Sequence, residues 1–467
     1  MPLPALALAA SLSFSQYVGA VDAAFDQSPL ALSLQLARRG FQQGALERVV
    51  ESPVRLSATA SAAFSTQTGL GIAAPEPGLN VGPSVSAAYA PRSGLSATLS
   101  GSYNVIDPPS EVPIEQGSDP FSASLDLRYD VTQGGPRAPA RLEAASAAAS
   151  VTAQSHDAAQ RLVDERITFG QLMIDVYSTH CVVALLSDAR RQIDETVASA
   201  GVKLQTGIMG QRDFLNFASL GNSFAVQQAQ LEVTLRQQLQ AASGYGPAAS
   251  RLAEAAGAGL ECQVDIEATQ TLARQQLLTA AELERAGAGL PASQSARETL
   301  RAAAFNQEAV SRRQQVSVSP FVTVQVTRPD YLSQNLVQVI GGVALEWTVP
   351  TARQEHANEE AALGWASARR REEDTRLRSR TSLSQLNAQL ESQVRVFDVL
   401  SKALGDSAKL IEVLKAQQLI GAVDSLNFAT AYLNDVALRQ TLLSAWASTQ
   451  RGVFALKAYR AAALPRG

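Results

Sequence analysis

The chain has 467 residues, of which 18% are charged and 6% aromatic, with a formal net charge of −4 and a mean hydropathy of −0.02. Abundant Ala, Gln, Ser and Leu with few aromatics suit long helices with a thin apolar seam better than a thick globular core. No basic stripe points to nucleic acid as a partner, and no run of about 18 apolar residues marks an ordinary helical membrane span.

At the N-terminus, Pro2 to Ala10 is short and apolar, and Ala7-Leu8-Ala9 suits signal-peptidase cleavage, although no Lys or Arg precedes it. Residues 1–10 read as a signal remnant, and a frayed terminus fits them equally. A first repeat spans 11–243. It opens with a helical pattern over 12–52, interrupted at Asp26-Gln27-Ser28-Pro29. Strands follow over 54–131: Val54 to Phe64, Ser84 to Tyr89, Leu95 to Tyr103 and Phe121 to Tyr129 alternate apolar or small residues with Ser and Thr. The stretch from Asp107 to Pro113 reads as a loop. A long helical hairpin is expected over 136–243, its first helix roughly 70 residues or about 100 Å, with a tip at 207–213. No globular core needs helices of that length.

An equatorial connection covers 244–289, and a second repeat covers 290–467. The plan recurs there as a helix over 290–315, strands over 320–349, and a hairpin over 351–460 with a tip at 419–424. Thr351 and Gln354 have capping-box spacing at the start of that hairpin. Along its first helix Leu383, Leu386, Leu390, Gln393, Phe397, Leu400, Leu404, Ser407, Ile411 and Leu414 fall at alternating steps of three and four. This is a heptad seam. The returning helix carries Leu426, Ala429, Leu433, Val436, Gln440 and Leu443 at the same steps, so each hairpin is expected to pack antiparallel. The tips themselves repeat: Gly210 through Ser219, with Asp213, Leu215-Asn216-Phe217 and Ala218, returns as Gly421 through Thr430, with Asp424, Leu426-Asn427-Phe428 and Ala429. Tyr129 to Gly210 is longer than Trp347 to Gly421 by one heptad, which preserves the phase of the seam.

Strands of alternating apolar and Ser/Thr residues need closure, which is compulsory in a membrane because every backbone polar group must be paired. Too few strands are present for a wide barrel from one chain, so several chains must share it. The order of helix, strands, junction, very long helix, Gly-then-Asp tip and returning helix, all twice, resembles the TolC-like outer-membrane factor family from about Leu12 to Tyr459. The resemblance implies an α+β membrane protein: a homotrimeric outer-membrane β-barrel continuous with a long periplasmic α-helical, coiled-coil barrel. It implies a passive exit duct of a tripartite efflux or type I secretion system, located in the outer membrane and extending into the periplasm. Its partners would be a periplasmic adaptor, an inner-membrane pump and outer-membrane lipid. The first half carries four strand-like segments where the simplest members have two, so either the barrel holds extra strands or Ser84 to Tyr103 forms a rim hairpin. The rival reading is a non-channel periplasmic coiled-coil scaffold whose β segment only caps an oligomer.

Candidate sites follow from both readings. Asp213 and Asp424 read as helix caps, which Asp favours. The resemblance implies instead a carboxylate ring at a periplasmic aperture, where copies of Asp424 converge and favour cations. Asn427 stands where the family pattern often has a second acid, halving the charge of a paired acidic ring. Arg212 beside Asp213 could lock a closed tip, though an exposed pair contributes only about 0–1 kcal/mol. Gly207, Ile208, Met209 and Gly210, with Leu419, Ile420 and Gly421, are ordinary turn residues or an adaptor-docking tip.

Cys181 and Cys262 are the only cysteines, and a disulfide or two buried thiols fits them equally. His180 does not pair with Cys181 for catalysis, since helix neighbours point apart. His156 and His356 are solitary and form no zinc cluster. No nucleotide-binding loop, nucleophile elbow or acid-base constellation occurs, so no enzyme activity and no cofactor is expected. Tyr89, Tyr103, Tyr129, Trp347, Phe121 and Phe321 read as aromatic girdles or as strand packing.

Overall fold

The computed structural model describes residues 14–49, 54–66, 77–89, 95–103, 105–106, 121–129, 138–206, 210–258, 262, 264–313, 317–328, 336–346, 352–419 and 425–463. Residues 1–10, Trp347 and Thr351, which carried expectations, lie outside them. Two compact units divide the chain, one of residues 1–40, 154–295 and 373–467 and the other of 41–153 and 296–372. Each unit takes segments from both sequence repeats, because helices of 67 and 68 residues run through the boundary between them.

The first unit is helical. Helix α1 (Phe14–Asp26) ends before Ser28-Pro29, where α2 (Pro29–Val49) begins. The Ser28 hydroxyl accepts from the Ala31 amide at 3.1 Å, and Pro29 occupies the first helical position, where its missing N–H costs nothing. The hairpin helices are α3 (Pro139–Gln205) with α4 (Gln211–Ser243), and α9 (Ala352–Leu419) with α10 (Ser425–Ala463). Between the hairpins lie α5 (Pro247–Ala258), α6 (Ile266–Gln276), α7 (Ala280–Gly289) and α8 (Pro291–Arg312). The α6 cap is Asp265, whose carboxylate accepts from the Ala268 amide at 2.9 Å, and Thr279 with Glu282 forms a capping box on α7.

Phe169, Met173 and Tyr177 recur every four residues on α3 and are fully buried with Tyr17 and Phe25 of α1 and Trp446 of α10. The Tyr177 and Trp446 rings lie 5.3 Å apart, and the Tyr17 hydroxyl donates to the Met173 carbonyl at 2.9 Å. This buried aromatic centre is thicker than the composition suggested. Gly170 makes the crossing possible, because a Cβ there would overlap the Phe454 ring of α10. One 18-residue window of α3 reaches a mean hydropathy of 1.3, but half of it is buried in these clusters, as expected of a core helix.

The second unit is built on an antiparallel sheet. Its strands are β1 (Val54–Thr66), β2 (Pro77–Tyr89), β3 (Leu95–Tyr103), β4 (Val105–Ile106), β5 (Phe121–Tyr129), β6 (Ser317–Arg328) and β7 (Leu336–Glu346). The order is β1-β2-β3-β5-β6-β7, with the two-residue β4 beside β2. Residues 84–89 and 95–103 thus pair within the sheet. Helix α2 enters β1, β5 leads to α3, α8 enters β6 and β7 leads to α9, so all four junctions lie at one end of the strands. Arg313, just after α8, pairs with Glu143 of α3, and the Ser146 hydroxyl of α3 donates to the Ala302 carbonyl of α8 at 2.8 Å.

Candidate functional site

The hairpin toward the first tip has a register that can be read from its glycines. A Cβ on Gly201 would stand 3.8 Å from Phe214, and one on Gly221 would stand 3.6 Å from Asp194. A rise of seven along α4 is a fall of seven along α3, so the helices run antiparallel. In the second hairpin Leu383, Leu390 and Val394 of α9 share a buried cluster with Val453 and Leu456 of α10, while Phe397 lies with Leu442 and Leu443. Rising on one helix and falling on the other, these residues are also antiparallel. Every predicted seam position from Leu383 to Leu414 is buried or half-buried. The two hairpins meet through α3 and α10, where Leu186, Ala189 and Ile193 pack with Val436.

Helices α4 and α9, one from each hairpin, each carry a second, exposed apolar stripe. On α9, Val396, Val399, Leu410 and Val413 are exposed, one position ahead of seam residues Phe397, Leu400, Ile411 and Leu414. On α4, Leu215, Val226 and Val233 are exposed. A helix with two seams about 100° apart is shaped to pack between two neighbours.

At the tips the expectations divide. Helix α4 begins at Gln211 with Gly210 as its N-cap and no side-chain capping bond, so Asp213 is the third helical residue and not the cap. An acid there still favours the helix dipole. Arg212 is exposed and Gly210 is exposed. Gly207, Ile208 and Met209 lie outside the described residues, as do Ile420, Gly421 and Asp424, while Leu419 is the last residue of α9. Asn427 is exposed near the start of α10 and lines a shallow groove of mixed polarity with Asp406, Ser407 and Leu410 of α9 and Thr430, Ala431, Asn434 and Leu438 of α10. Sequence reading missed Asp435, buried on α10, whose carboxylate accepts from the Arg439 guanidinium at 2.7 Å. The i, i+4 spacing of the two residues was the available signal.

Cys181 and Cys262 form a disulfide, with Cα atoms 5.3 Å apart. It ties the segment between α5 and α6 to α3 beside the aromatic centre. Neighbouring His180 is half-buried, and burial pushes its imidazole below the ordinary value. Burial also raises the Tyr17 and Tyr177 hydroxyls, so both stay neutral. Among the described residues no group of three His, Cys, Asp or Glu could hold a metal ion.

The sheet has two chemically distinct faces, fixed by register. Opposite one another stand Leu56 and Ala87, Ala87 and Leu99, Leu99 and Leu125, Leu125 and Val324, and Val324 and Val339. Most apolar positions of the six long strands thus fall on one face, while Phe321 and Ile340 take the other. Several on the apolar face whose side chains are described are open to the surroundings: Leu99 is 55% exposed, Val339 65% and Leu345 70%, while Val324 and Val326 are half-buried. On the other face Ser100 and Ser124 share a hydrogen bond at 2.7 Å, and the Thr323 hydroxyl donates to Asp126. Tyr129 ends its strand on the apolar face, and positions 103 and 121 pair on that face at the opposite end. Eight residues separate Phe121 from Tyr129, about 26 Å of strand. Phe321 belongs to the polar face, over Gly342, and not to an aromatic girdle.

No family model matches the chain, and no curated protein matches it. Solved structures do. CusC, whose crystal structures concern folding and transmembrane channel formation, is similar with a TM-score of 0.64 at 15% identity, over 98% of this chain and 97% of that one. VceC, an outer membrane protein of Vibrio cholerae, is similar with a TM-score of 0.62 at 13% identity, over 97% of each chain. The open state of MtrE, an outer membrane channel of Neisseria gonorrhoeae, is similar with a TM-score of 0.59 at 12% identity, over 95% of this chain and 88% of that one. At these identities the likeness is one of fold.

Proposed function

We propose that the chain, which shares the fold of outer-membrane channels, is one protomer of a passive exit duct in the outer membrane, a member of the TolC-like outer-membrane factor family. Three copies surround a common lumen that carries solutes or polypeptides outward. The observation that carries this reading is the two-faced sheet. One face is mostly apolar across six strands, largely exposed, and bounded at both ends by aromatic positions about 26 Å apart along the strand, which at a tilt of about 40° is roughly 20 Å of height and fits within the roughly 25 Å apolar band of outer-membrane barrels. The other face is mainly polar, with Ser100, Ser124, Thr323, Gln325 and Asp126 beside Phe321 and Ile340, which suits a wet interior. A water-soluble scaffold would leave that apolar face in water, so the lipid reading is preferred.

The uncovered stripes on α4 and α9 support lateral assembly. A copy with an unfilled seam on one helix of each hairpin closes into a ring when α9 of one copy meets α4 of the next. The tips at 207–213 and 419–424 are assigned to the periplasmic aperture, with Asp424 and Asn427 facing passing ions and the small apolar tip residues docking an adaptor. With no nucleotide-binding motif in the chain, the driving force is assigned to an inner-membrane pump reached through that adaptor. Membrane fractionation with gel migration before and after heating tests the reading. Recovery in the outer-membrane fraction as a heat-modifiable trimer is expected. A heat-insensitive, water-soluble monomer would overturn it.

A further inference from the structure

The sheet edges show how many strands each copy contributes. Strands β1 and β7 each pair on one side only within the chain, leaving outer edges 13 and 11 residues long. In a bilayer such edges cannot stay open, because each unpaired backbone group costs several kcal/mol. A closing partner must run antiparallel to the edge it meets. Every neighbouring pair in the sheet is antiparallel, so β1 leaves the helical junctions while β7 returns to them. The two edges of this one chain are therefore complementary in direction and similar in length.

The helices at the same two ends of the second unit are equally uncovered. On α2, which enters β1, Leu46 is 68% exposed; on α9, which follows β7, Leu363 is 70% exposed. The alternative seam would lie at β3, with β1 and β2 outside the wall. That edge is already occupied, since β2 pairs with β3 from Ser84–Ser102 to Tyr89–Ala97. Positions Val54, Leu56, Ala58, Ala60, Ala62 and Phe64 of β1 also continue the apolar face through β2 without a break in register.

We infer that β7 of one copy pairs with β1 of a second copy, so that each protomer places six strands in the barrel wall. Three copies, six strands each, give a wall of eighteen strands. This rests on the duct reading and goes beyond it, because a duct of the same overall plan closed at β3 would hold only twelve. At equal tilt the wider wall has about 1.5 times the diameter of the narrower one, since barrel diameter grows roughly linearly with strand number.

Electron cryo-microscopy of the native oligomer in lipid nanodiscs counts the strands. Eighteen strands with β1 hydrogen-bonded to β7 of the adjacent copy is the expected result. Twelve strands, with β1 and β2 outside the wall, would overturn the inference and leave the duct standing; no barrel would overturn both. Cysteine cross-linking reads the same seam independently. Ala58→Cys combined in turn with Val337→Cys, Val339→Cys and Val343→Cys should give an oxidant-dependent inter-copy cross-link in at least one pairing. Cross-links from Leu99→Cys to those positions, with none from Ala58→Cys, would place the seam at β3 and contradict the inference.

Discussion

Removing the Cys181–Cys262 bridge should loosen the connection between the two hairpins before it disturbs either hairpin. The cross-link closes a sequence separation of 81 residues. In the chain-entropy account a loop of that size restricts the unfolded chain by about 15 cal/mol/K, or about 4.5 kcal/mol at 25 °C. Hydrogen exchange is the appropriate assay, because a long multi-unit chain does not melt in one step and local opening is read segment by segment. In the Cys181→Ser, Cys262→Ser double variant, amides of α5 and α6 should exchange faster while those near Leu390 and Leu456 keep their protection. A free-thiol count on denatured native protein should find none. Two free thiols, or unchanged exchange through α5 and α6, would refute the reasoning.

Gly170→Ala normally gains about 1 kcal/mol of helix propensity, but here the added methyl meets the Phe454 ring, so overpacking of about 1–3 kcal/mol should lower the melting temperature. Trp446→Ala, removing the side chain that packs on Tyr177, should cost about 3–5 kcal/mol by chemical denaturation. Because burial lowers the His180 pKa, the unfolded chain binds its proton first; stability should fall as pH drops below the ordinary 6.5, and His180→Gln should flatten that decline in pH-dependent melting. Asp424→Ala should weaken block by multivalent cations in bilayer recordings, and unchanged block would leave Asp424 as a cap.

Where the sequence was legible, one period dominated. The seam from Leu383 to Leu414 could be read because steps of three and four place every member on one helix face, and the structure buries or half-buries each of them. Ser28-Pro29 was legible as a break because both residues act locally. The strands were visible, but their order was not, since alternation says which face a residue takes and not which strand lies beside it. Phe321 shows what parity could have supplied: Val322, Val324 and Val326 share the apolar face, so their odd-numbered neighbour must take the other. Helices α6 and α7 had clear signals, Asp265 and the pair Thr279 with Glu282, inside the segment expected only as an equatorial connection.

Single-channel recording from purified oligomer in planar lipid bilayers tests the central claim most directly. Stepwise conductance is predicted, because in the proposed duct the polar face of the sheet faces a water-filled passage. A folded, heat-modifiable oligomer that inserts into the bilayer and passes no current under any applied voltage would contradict the account.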